Sequence, residues 1–126
     1  MRVRSARPAE LAAVMNVLDG ADLEIAAATV DRGIDAERVL VAETGTIVGA
    51  LVAAPRSDGA HVEAIAVRPG RRGQGIGEAL IDSAVDRWGR LTASFDPELA
   101  AFYEAVGFTN SPAGERCFGE REEIEG

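Results

Sequence analysis

Near the middle of the chain lies the stretch Ala66-Val67-Arg68-Pro69-Gly70-Arg71-Arg72-Gly73-Gln74-Gly75-Ile76-Gly77. Its closely spaced glycines let the main chain approach a ligand and adopt conformations that a Cβ forbids. The N–H groups of this loop and of the helix turn that follows form, with the helix dipole, a site for an anion. Arg68, Arg71 and Arg72 are the densest basic cluster in the chain. The stretch predicts a phosphate-binding loop; the alternative is a glycine turn with solvated arginines.

The segments around this loop alternate between strand and helix patterns. A strand is predicted over His61–Val67, and a helix after the loop ends at Gly89. Leu91–Phe95 predicts the next strand, and Asp96 then serves as the N-cap carboxylate of a second helix. The buried stripe of that helix is predicted to be Leu99, Phe102, Tyr103 and Val106.

The N-terminal half predicts a hairpin preceded by helices. The predicted elements are a strand over Val3–Arg7, a helix from Pro8 to Gly20, a weaker helix over Leu23–Gly33, and strands over Arg38–Glu43 and Thr46–Ala53. Both hairpin strands are apolar on their two faces, which is typical of a sheet covered on both sides. After Phe108 we expect one or two short strands. The order predicts an α/β (α+β) fold: one domain over residues 1–126, with a mixed, mostly antiparallel central sheet and helices on both faces.

Composition narrows the function classes. The chain has 126 residues and a net charge of −8, and its 13 basic residues are all arginine. An acidic surface disfavours nucleic-acid binding. One cysteine (Cys117) excludes an internal disulfide, and with a single histidine (His61) it excludes the usual zinc sites. No apolar run approaches the ~18 residues that span a membrane, and the first residues lack a secretory pattern. We therefore expect a cytoplasmic protein with no membrane association and no metal.

Two common phosphate loops do not fit the glycine stretch. A P-loop requires a lysine, and the chain has none. A dinucleotide fingerprint requires a third glycine where Glu78 stands. The stretch Arg72-Gly73-Gln74-Gly75-Ile76-Gly77, after a strand ending in Ala66-Val67, resembles instead the acyl-CoA pyrophosphate loop of the GNAT superfamily of N-acetyltransferases. A second block, from Leu99 to Phe108, is similar to the later helix-to-strand motif of that family, and the opening Val3–Pro8 resembles its first strand.

The resemblance implies a mode of cofactor binding. Acetyl-CoA would lie where two adjacent parallel strands, His61–Val67 and Leu91–Phe95, splay apart. Main-chain groups of Ile65, Ala66 and Val67 would pair with the pantetheine arm. The pyrophosphate would meet the loop residues Gly73, Gln74, Gly75, Ile76 and Gly77, with Arg68, Arg71 or Arg72 supplying positive charge.

The resemblance also implies catalytic roles. Tyr103 stands at the family's usual proton-donor position, and the alternative is a core tyrosine with a structural partner. Glu63 is the candidate general base, directly or through water, although an acid on a strand is often only an exposed side chain. His61 would titrate in a useful range but is more simply solvated. Where the family often has an asparagine that contacts CoA, this chain has Asp96.

The acceptor is the least determined part. The region from Asp19 to Asp35 carries five acids, which are Asp19, Asp22, Glu24, Asp31 and Asp35. They favour a cationic acceptor, such as a small amine, a protein N-terminus or a lysine, but general acidity explains them as well. A homodimer could complete this side. Two other functions stay open: a catalytically silent acyl-CoA sensor or partner-binding module, and an unrelated phosphate-binding domain.

Overall fold

The computed structural model of the chain describes residues 1–20 and 25–123. Its strands are β1 (Arg2–Ser5), β2 (Val39–Glu43), β3 (Ile47–Arg56), β4 (Gly59–Val67), β5 (Arg90–Phe95), β6 (Thr109–Ala113) and β7 (Arg116–Glu122). Its helices are α1 (Leu11–Asp19), α2 (Ala27–Asp35), α3 (Ile76–Trp88) and α4 (Ala100–Ala105). Three 3₁₀ turns, Pro8–Glu10, Pro69–Arg71 and Pro97–Leu99, each begin at a proline, whose fixed φ suits a first helical position.

The described residues form one seven-stranded sheet in the order β1-β2-β3-β4-β5-β7-β6. All neighbouring strands are antiparallel except β4 and β5, which are parallel. Helices α1 and α2 cover one face, and α3 and α4 cover the other. Alternate residues of β2 enter the two cores: Leu40 packs on the α3 side and Val41 on the α1 side. The prediction of a mixed, mostly antiparallel sheet between two helical layers is confirmed.

Some boundaries differ from those expected. β1 ends at Ser5, and the Ala6 N–H bonds the Val39 carbonyl just beyond it. The second helix begins at Ala27 and runs to Asp35, because Val30 and Ile34, four residues apart, are its buried contacts. Leu23, where that helix was expected to begin, lies outside the described residues. None of the described helices is both long and apolar enough to cross a bilayer.

The parallel pair β4–β5 opens almost at once. Its backbone pairing consists of Ala60 with Leu91 and His61 with Thr92. On the other side of β4, Val52 pairs with Ala64 but Ala53 pairs with Val62, so Glu63 is an extra, unpaired residue. An extra residue of this kind bends and twists a strand. Beyond it, the β4 edge that faces β5 has no strand partner in the described part of the chain.

A buried arginine joins the first strand to the hairpin. The Arg4 guanidinium donates to both carboxylate oxygens of Glu10, at 2.8 and 2.7 Å, and to Glu43 at 2.9 Å. These bonds hold the pKa of Glu10 down at about 2, with Arg4 as the main cause. The network ties β1, the turn before α1, and β2 together.

Replacing Glu10 with Gln tests this network. Because the Glu10 pKa in the folded protein, about 2, lies below its ordinary value of 4.5, the stabilisation is complete above pH 4.5 and is lost as pH falls towards 2. We expect Glu10→Gln to lower the free energy of unfolding by about 1–2 kcal/mol at pH 7. The difference from the parent should shrink between pH 4.5 and 2.

Thermal unfolding followed by circular dichroism from pH 7 to pH 3 measures that difference. Glu98→Gln is the matched control, because Glu98 is exposed and has no ion pair among the described residues. A Glu10→Gln deficit that stays constant with pH would contradict the assignment.

Candidate acyl-CoA site

The glycine loop ends in an uncapped helix. Gly73 and Gly75 both have φ near +78°, the left-handed region that favours glycine. Gly75 is the N-cap residue of α3 and brings no side chain to cap it. The N–H groups of the first turn therefore point outward without a side-chain acceptor, at the positive end of a 13-residue helix. This arrangement suits a phosphate group.

The glycines of the loop serve different purposes. A Cβ at Gly73 or Gly75 would meet no atom within 4 Å, so these positions need glycine for their backbone conformation rather than for space. Gly77 has no positive φ, but a Cβ there would lie 3.1 Å from the Phe102 ring. Gly77 is thus required for close packing of α3 against α4.

A cavity of about 580 Å³ joins the loop to the free edge of β4. Nine of the site residues expected from the sequence line it: Ile65, Ala66, Val67, Arg72, Gly73, Gly75, Ile76, Gly77 and Tyr103. Arg71, Glu78, Leu99, Phe102 and Val106 complete the wall. The structure does not bring Glu63, Arg68 or Gln74 into this wall.

The three clustered arginines point in different directions. The Arg68 guanidinium donates to the Ile47 carbonyl and to Asn16 Oδ1, both at 2.9 Å, and so braces the loop against β3 and α1. Arg71 donates to Thr44 Oγ1 and, at 3.4 Å, to the Gln74 side chain. Arg72 is exposed and has no hydrogen-bond partner within residues 1–20 and 25–123. The expected role of Arg68 at a phosphate is therefore not supported by its position, whereas Arg72 is available.

Tyr103 forms part of the cavity wall with its ring in the core. The ring stacks on Phe95 at 4.1 Å and meets Phe102 and Phe108 edge-on at 5.1 Å. Its hydroxyl makes no hydrogen bond to a described residue. Burial raises the pKa of Tyr103 to about 12, and the nearby Arg116 lowers it in part. The phenol is therefore protonated at neutral pH and can act as a proton donor.

The acetyltransferase (GNAT) domain family matches residues 35–110, which is more than half of the chain. The chain belongs to the GNAT acetyltransferase family. This membership supports acyl transfer as the general activity. The matched range contains β4, the glycine loop, α3 and α4, which together build the cavity.

Solved structures agree with this GNAT fold. A ribosomal-protein-alanine N-acetyltransferase from Brucella melitensis superposes with a TM-score of 0.78 at 19% identity, covering 98% of this chain and all of the other. The PaiA N-acetyltransferase from Thermoplasma acidophilum, in complex with coenzyme A, gives 0.81 at 13% identity, covering 97% and 98%. Rv2747 from Mycobacterium tuberculosis, in complex with CoA and NLQ, gives 0.76 at 24% identity, covering 90% and 74%. The comparison with curated proteins finds no match by sequence.

Two members of the stripe expected to be buried, Leu99 just before α4 and Phe102 within it, are exposed in this GNAT domain. Leu99 is 45% exposed and Phe102 is 37% exposed, and both line the cavity, whereas Tyr103 and Val106 are buried as expected. The prediction was wrong for Leu99 and Phe102 because the cavity takes the place of a packed neighbour beside them. Their apolar spacing resembles that of core residues, so periodicity alone could not separate the two roles.

Asp96 also differs from expectation. It stands at the N-cap of the Pro97–Leu99 turn, but its side chain makes no capping hydrogen bond. The Asp96 carboxylate instead accepts a hydrogen bond from Arg116 at 2.8 Å. The interpretation of Asp96 as a side-chain cap was therefore wrong, because an arginine 20 residues later in the chain provides a stronger, charged partner.

The two candidate bases lie on β4 near the bulge. Glu63 is the extra residue itself and is exposed. His61 Nδ1 lies 2.7 Å from Thr92 Oγ1, at the last pair before β4 and β5 separate. Burial and the nearby Arg56 lower the pKa of His61, while Glu63 opposes them. In the described ranges, no group of three or more His, Cys, Asp or Glu residues could hold a metal ion.

The raised pKa of Tyr103 can be measured directly, because Tyr103 is the only tyrosine in the chain. We expect the absorbance at 295 nm to show phenol ionisation with a midpoint near 12 in the folded protein. In the chain unfolded by guanidinium the midpoint should fall to the ordinary value of about 10. Far-UV circular dichroism at each pH verifies that the protein is folded, and equal midpoints would contradict the buried, unpaired phenol.

Proposed function

We propose that this GNAT domain is an N-acetyltransferase that moves an acetyl group from acetyl-CoA to a primary amine by direct attack in a ternary complex. The observation that carries the proposal is the cavity that joins the uncapped α3 N-terminus to the part of β4 that is not paired with β5. One end suits a diphosphate, and the other brings a protonated tyrosine to the cavity wall. The CoA complexes of the Thermoplasma and Mycobacterium structures support an acyl-CoA cosubstrate.

The diphosphate of acetyl-CoA would bind at the loop. The N–H groups of Gly73, Gly75, Ile76 and Gly77 would donate to its oxygens, and the free Arg72 guanidinium would neutralise part of its charge. In an otherwise acidic protein, this local positive potential also attracts an anionic cofactor.

The pantetheine arm would follow the free edge of β4. Ile65, Ala66 and Val67 pair with β3 on one side only, so backbone groups on the other side can bond the amides of the arm. The exposed side chains of Leu99 and Phe102 would cover its apolar carbons. Contact with the arm would remove the apolar surface of both side chains from water, which favours binding and accounts for their exposure in the free protein.

The chemistry needs no nucleophile from the protein. The amine nitrogen attacks the thioester carbon, and an N–H near Ile65 or Ala66 stabilises the oxyanion that forms. When the C–S bond breaks, its electron pair stays on sulfur, and Tyr103 supplies a proton to it. Glu63, through water, accepts the proton that the amine releases.

Several acceptors are compatible with the chain. The Brucella relative acts on the alanine of a ribosomal protein, which supports a protein N-terminus as one class, beside a lysine or a small amine. Asp19, Asp31 and Asp35 are exposed and could attract a cation. Asp22 and Glu24, the other acids of that region, lie outside the described residues.

A silent acyl-CoA-binding module is the second candidate. It is favoured by the exposure of Glu63, which leaves the cavity wall without a carboxylate base from β4. Thiol release from acetyl-CoA, measured with a panel of amines and N-terminal peptides, separates the two candidates. Catalytic turnover with any acceptor supports the enzyme, whereas a thermal shift with acetyl-CoA and no turnover supports the module.

Gly75→Val tests the loop. Valine resists a φ of +78°, so the loop must change conformation and the N–H groups lose their common direction. We expect coenzyme A binding, measured by calorimetry, to weaken about tenfold or more. Gly70→Ala is the matched control, because Gly70 lies in the same loop with an ordinary φ and open space around it. Equal affinity in the parent and Gly75→Val would remove the loop from the cofactor site.

Tyr103→Phe tests the proton donor. The ring and its stacking on Phe95 are retained, so we expect folding and the Kd for acetyl-CoA to change little. Turnover should fall about 100-fold or more, because the thiolate must leave without a proton from the enzyme. Phe102→Leu is the control for the cavity wall, since it alters an aromatic neighbour and leaves the phenol. Normal kcat in Tyr103→Phe would exclude Tyr103 as the acid.

A further inference from the structure

Gly119, in β7, is a buried position at which the fold leaves no room for a side chain. A Cβ placed there would lie 2.5 Å from Asn110 Oδ1 and 3.2 Å from both Phe95 Cε1 and Phe108 Cδ2. The backbone of Gly119 has no positive φ, so its conformation does not favour glycine. Glycine is therefore needed at this position for space alone.

The two rings that face Gly119 are the rings that hold Tyr103. Phe95 stacks on the Tyr103 ring with centroids 4.1 Å apart, and Phe108 meets it edge-on at 5.1 Å. The Phe108 N–H also donates to the Tyr103 carbonyl at 2.9 Å. An atom added at Gly119 would therefore press on both aromatic neighbours of the phenol at once.

Asn110 connects Gly119 to the start of α4. Its Nδ2 donates to the carbonyl of Ala100, the first residue of that helix, at 3.1 Å. Its Oδ1 is buried and has no hydrogen-bond partner among the described residues. The hydrogen that glycine carries in place of a Cβ points towards this oxygen. A side chain at position 119 would displace the amide, and with it the contact that holds α4 one turn before Tyr103.

The arrangement of the strands decides in which direction such a displacement goes. β7 lies on the opposite side of β5 from β4, whereas the cavity borders the part of β4 that is not paired with β5. A group added at Gly119 pushes the rings of Phe95 and Phe108 away from β7. Because a packed core yields little and Tyr103 lines the cavity, the space open to the Tyr103 ring is on the cavity side.

We propose that Gly119 is a positioning residue: because it carries no side chain, Phe95 and Phe108 hold Tyr103 where its hydroxyl meets the departing sulfur. The inference rests on the proposed acetyl transfer. As the C–S bond breaks, the sulfur keeps the electron pair and takes the Tyr103 proton, and water later returns a proton to the phenolate. This transfer requires a short, aligned contact, so a small displacement of the ring slows it.

A double-mutant cycle separates this role from a purely structural one. We expect Gly119→Ala to lower kcat about tenfold or more, because it misplaces the proton donor. The Kd for acetyl-CoA should change little, since Gly119 touches neither the glycine loop nor the free edge of β4. In a Tyr103→Phe background the same change should have no further effect on kcat. An effect of equal size in both backgrounds would overturn the proposal.

A second measurement does not depend on turnover. The absorbance titration of the single tyrosine should show a midpoint in Gly119→Ala that falls from near 12 towards the ordinary value of about 10, because the phenol moves towards the cavity and is less buried. If the protein transfers no acetyl group to any acceptor, the proposed function fails, and this titration still decides whether Gly119 positions Tyr103. Identical midpoints in the parent and Gly119→Ala would overturn the proposal even in an active enzyme.

Gly49→Ala is the matched control for the titration. Gly49 is also a buried strand glycine, and a Cβ there would lie 2.9 Å from Ile76 Cγ2 and 3.2 Å from Leu80 Cδ1. Both atoms belong to α3 and not to the aromatic neighbours of Tyr103. We expect the tyrosine midpoint in Gly49→Ala to stay at the parent value. Equal shifts in the two variants would indicate a general loosening of the core and overturn the proposal.

A further pair of variants keeps the test decisive if Gly119→Ala does not fold. The tightest contact of the added Cβ is the one with Asn110 Oδ1, and Asn110→Ala removes it. The two ring contacts, at 3.2 Å, then require shifts of only a few tenths of an ångström. We expect the tyrosine midpoint to be lower in Asn110→Ala/Gly119→Ala than in Asn110→Ala alone, with folding verified by circular dichroism. Equal midpoints in these two proteins would overturn the proposal.

Discussion

The separation of two parallel strands after only two residue pairs is the constraint on which the site depends. β4 is paired with β3 at every residue except Glu63, so its position is fixed, while its other side is free beyond His61. Backbone N–H and C=O groups that are buried without a hydrogen-bond partner destabilise a protein. Here they border a cavity and can bind a ligand as a strand would. The bulge at Glu63 belongs to the same feature, because it bends β4 where the separation begins.

The order of elements and the glycine loop could be predicted from sequence because both depend on local patterns. Positive φ values at Gly73 and Gly75 and an apolar face on α3 are properties of short segments. The partners of Arg68 and Asp96 could not be predicted, since Asn16 and Arg116 are 52 and 20 residues away. The tertiary fold decides which partner a charged side chain contacts, and the residues beside it in the sequence do not indicate that partner.

The apolar residues within α4 and at its two ends show a second limit of sequence reasoning. A helix turned towards a cavity has the same spacing of apolar residues as one turned towards a core. Leu99 and Phe102 could be distinguished from Tyr103 and Val106 only once the opening between β4 and β5 was known. Phe102 also explains Gly77, because the ring occupies the space that a Cβ would need. The glycine motif therefore combines two requirements, one conformational and one of packing between helices.

Every basic residue of the chain is an arginine, and this extends the pH range over which the ion pairs of the fold persist. Arg4 bonds two carboxylates and Arg90 pairs with three, contacts that a planar guanidinium makes more readily than an ammonium group. Guanidinium groups stay protonated far into the alkaline range, where lysine side chains begin to lose their charge. A primary amine becomes a nucleophile by losing a proton in that same alkaline range. The ion pairs of this protein can thus remain intact in solutions basic enough to hold such an amine largely as its neutral free base.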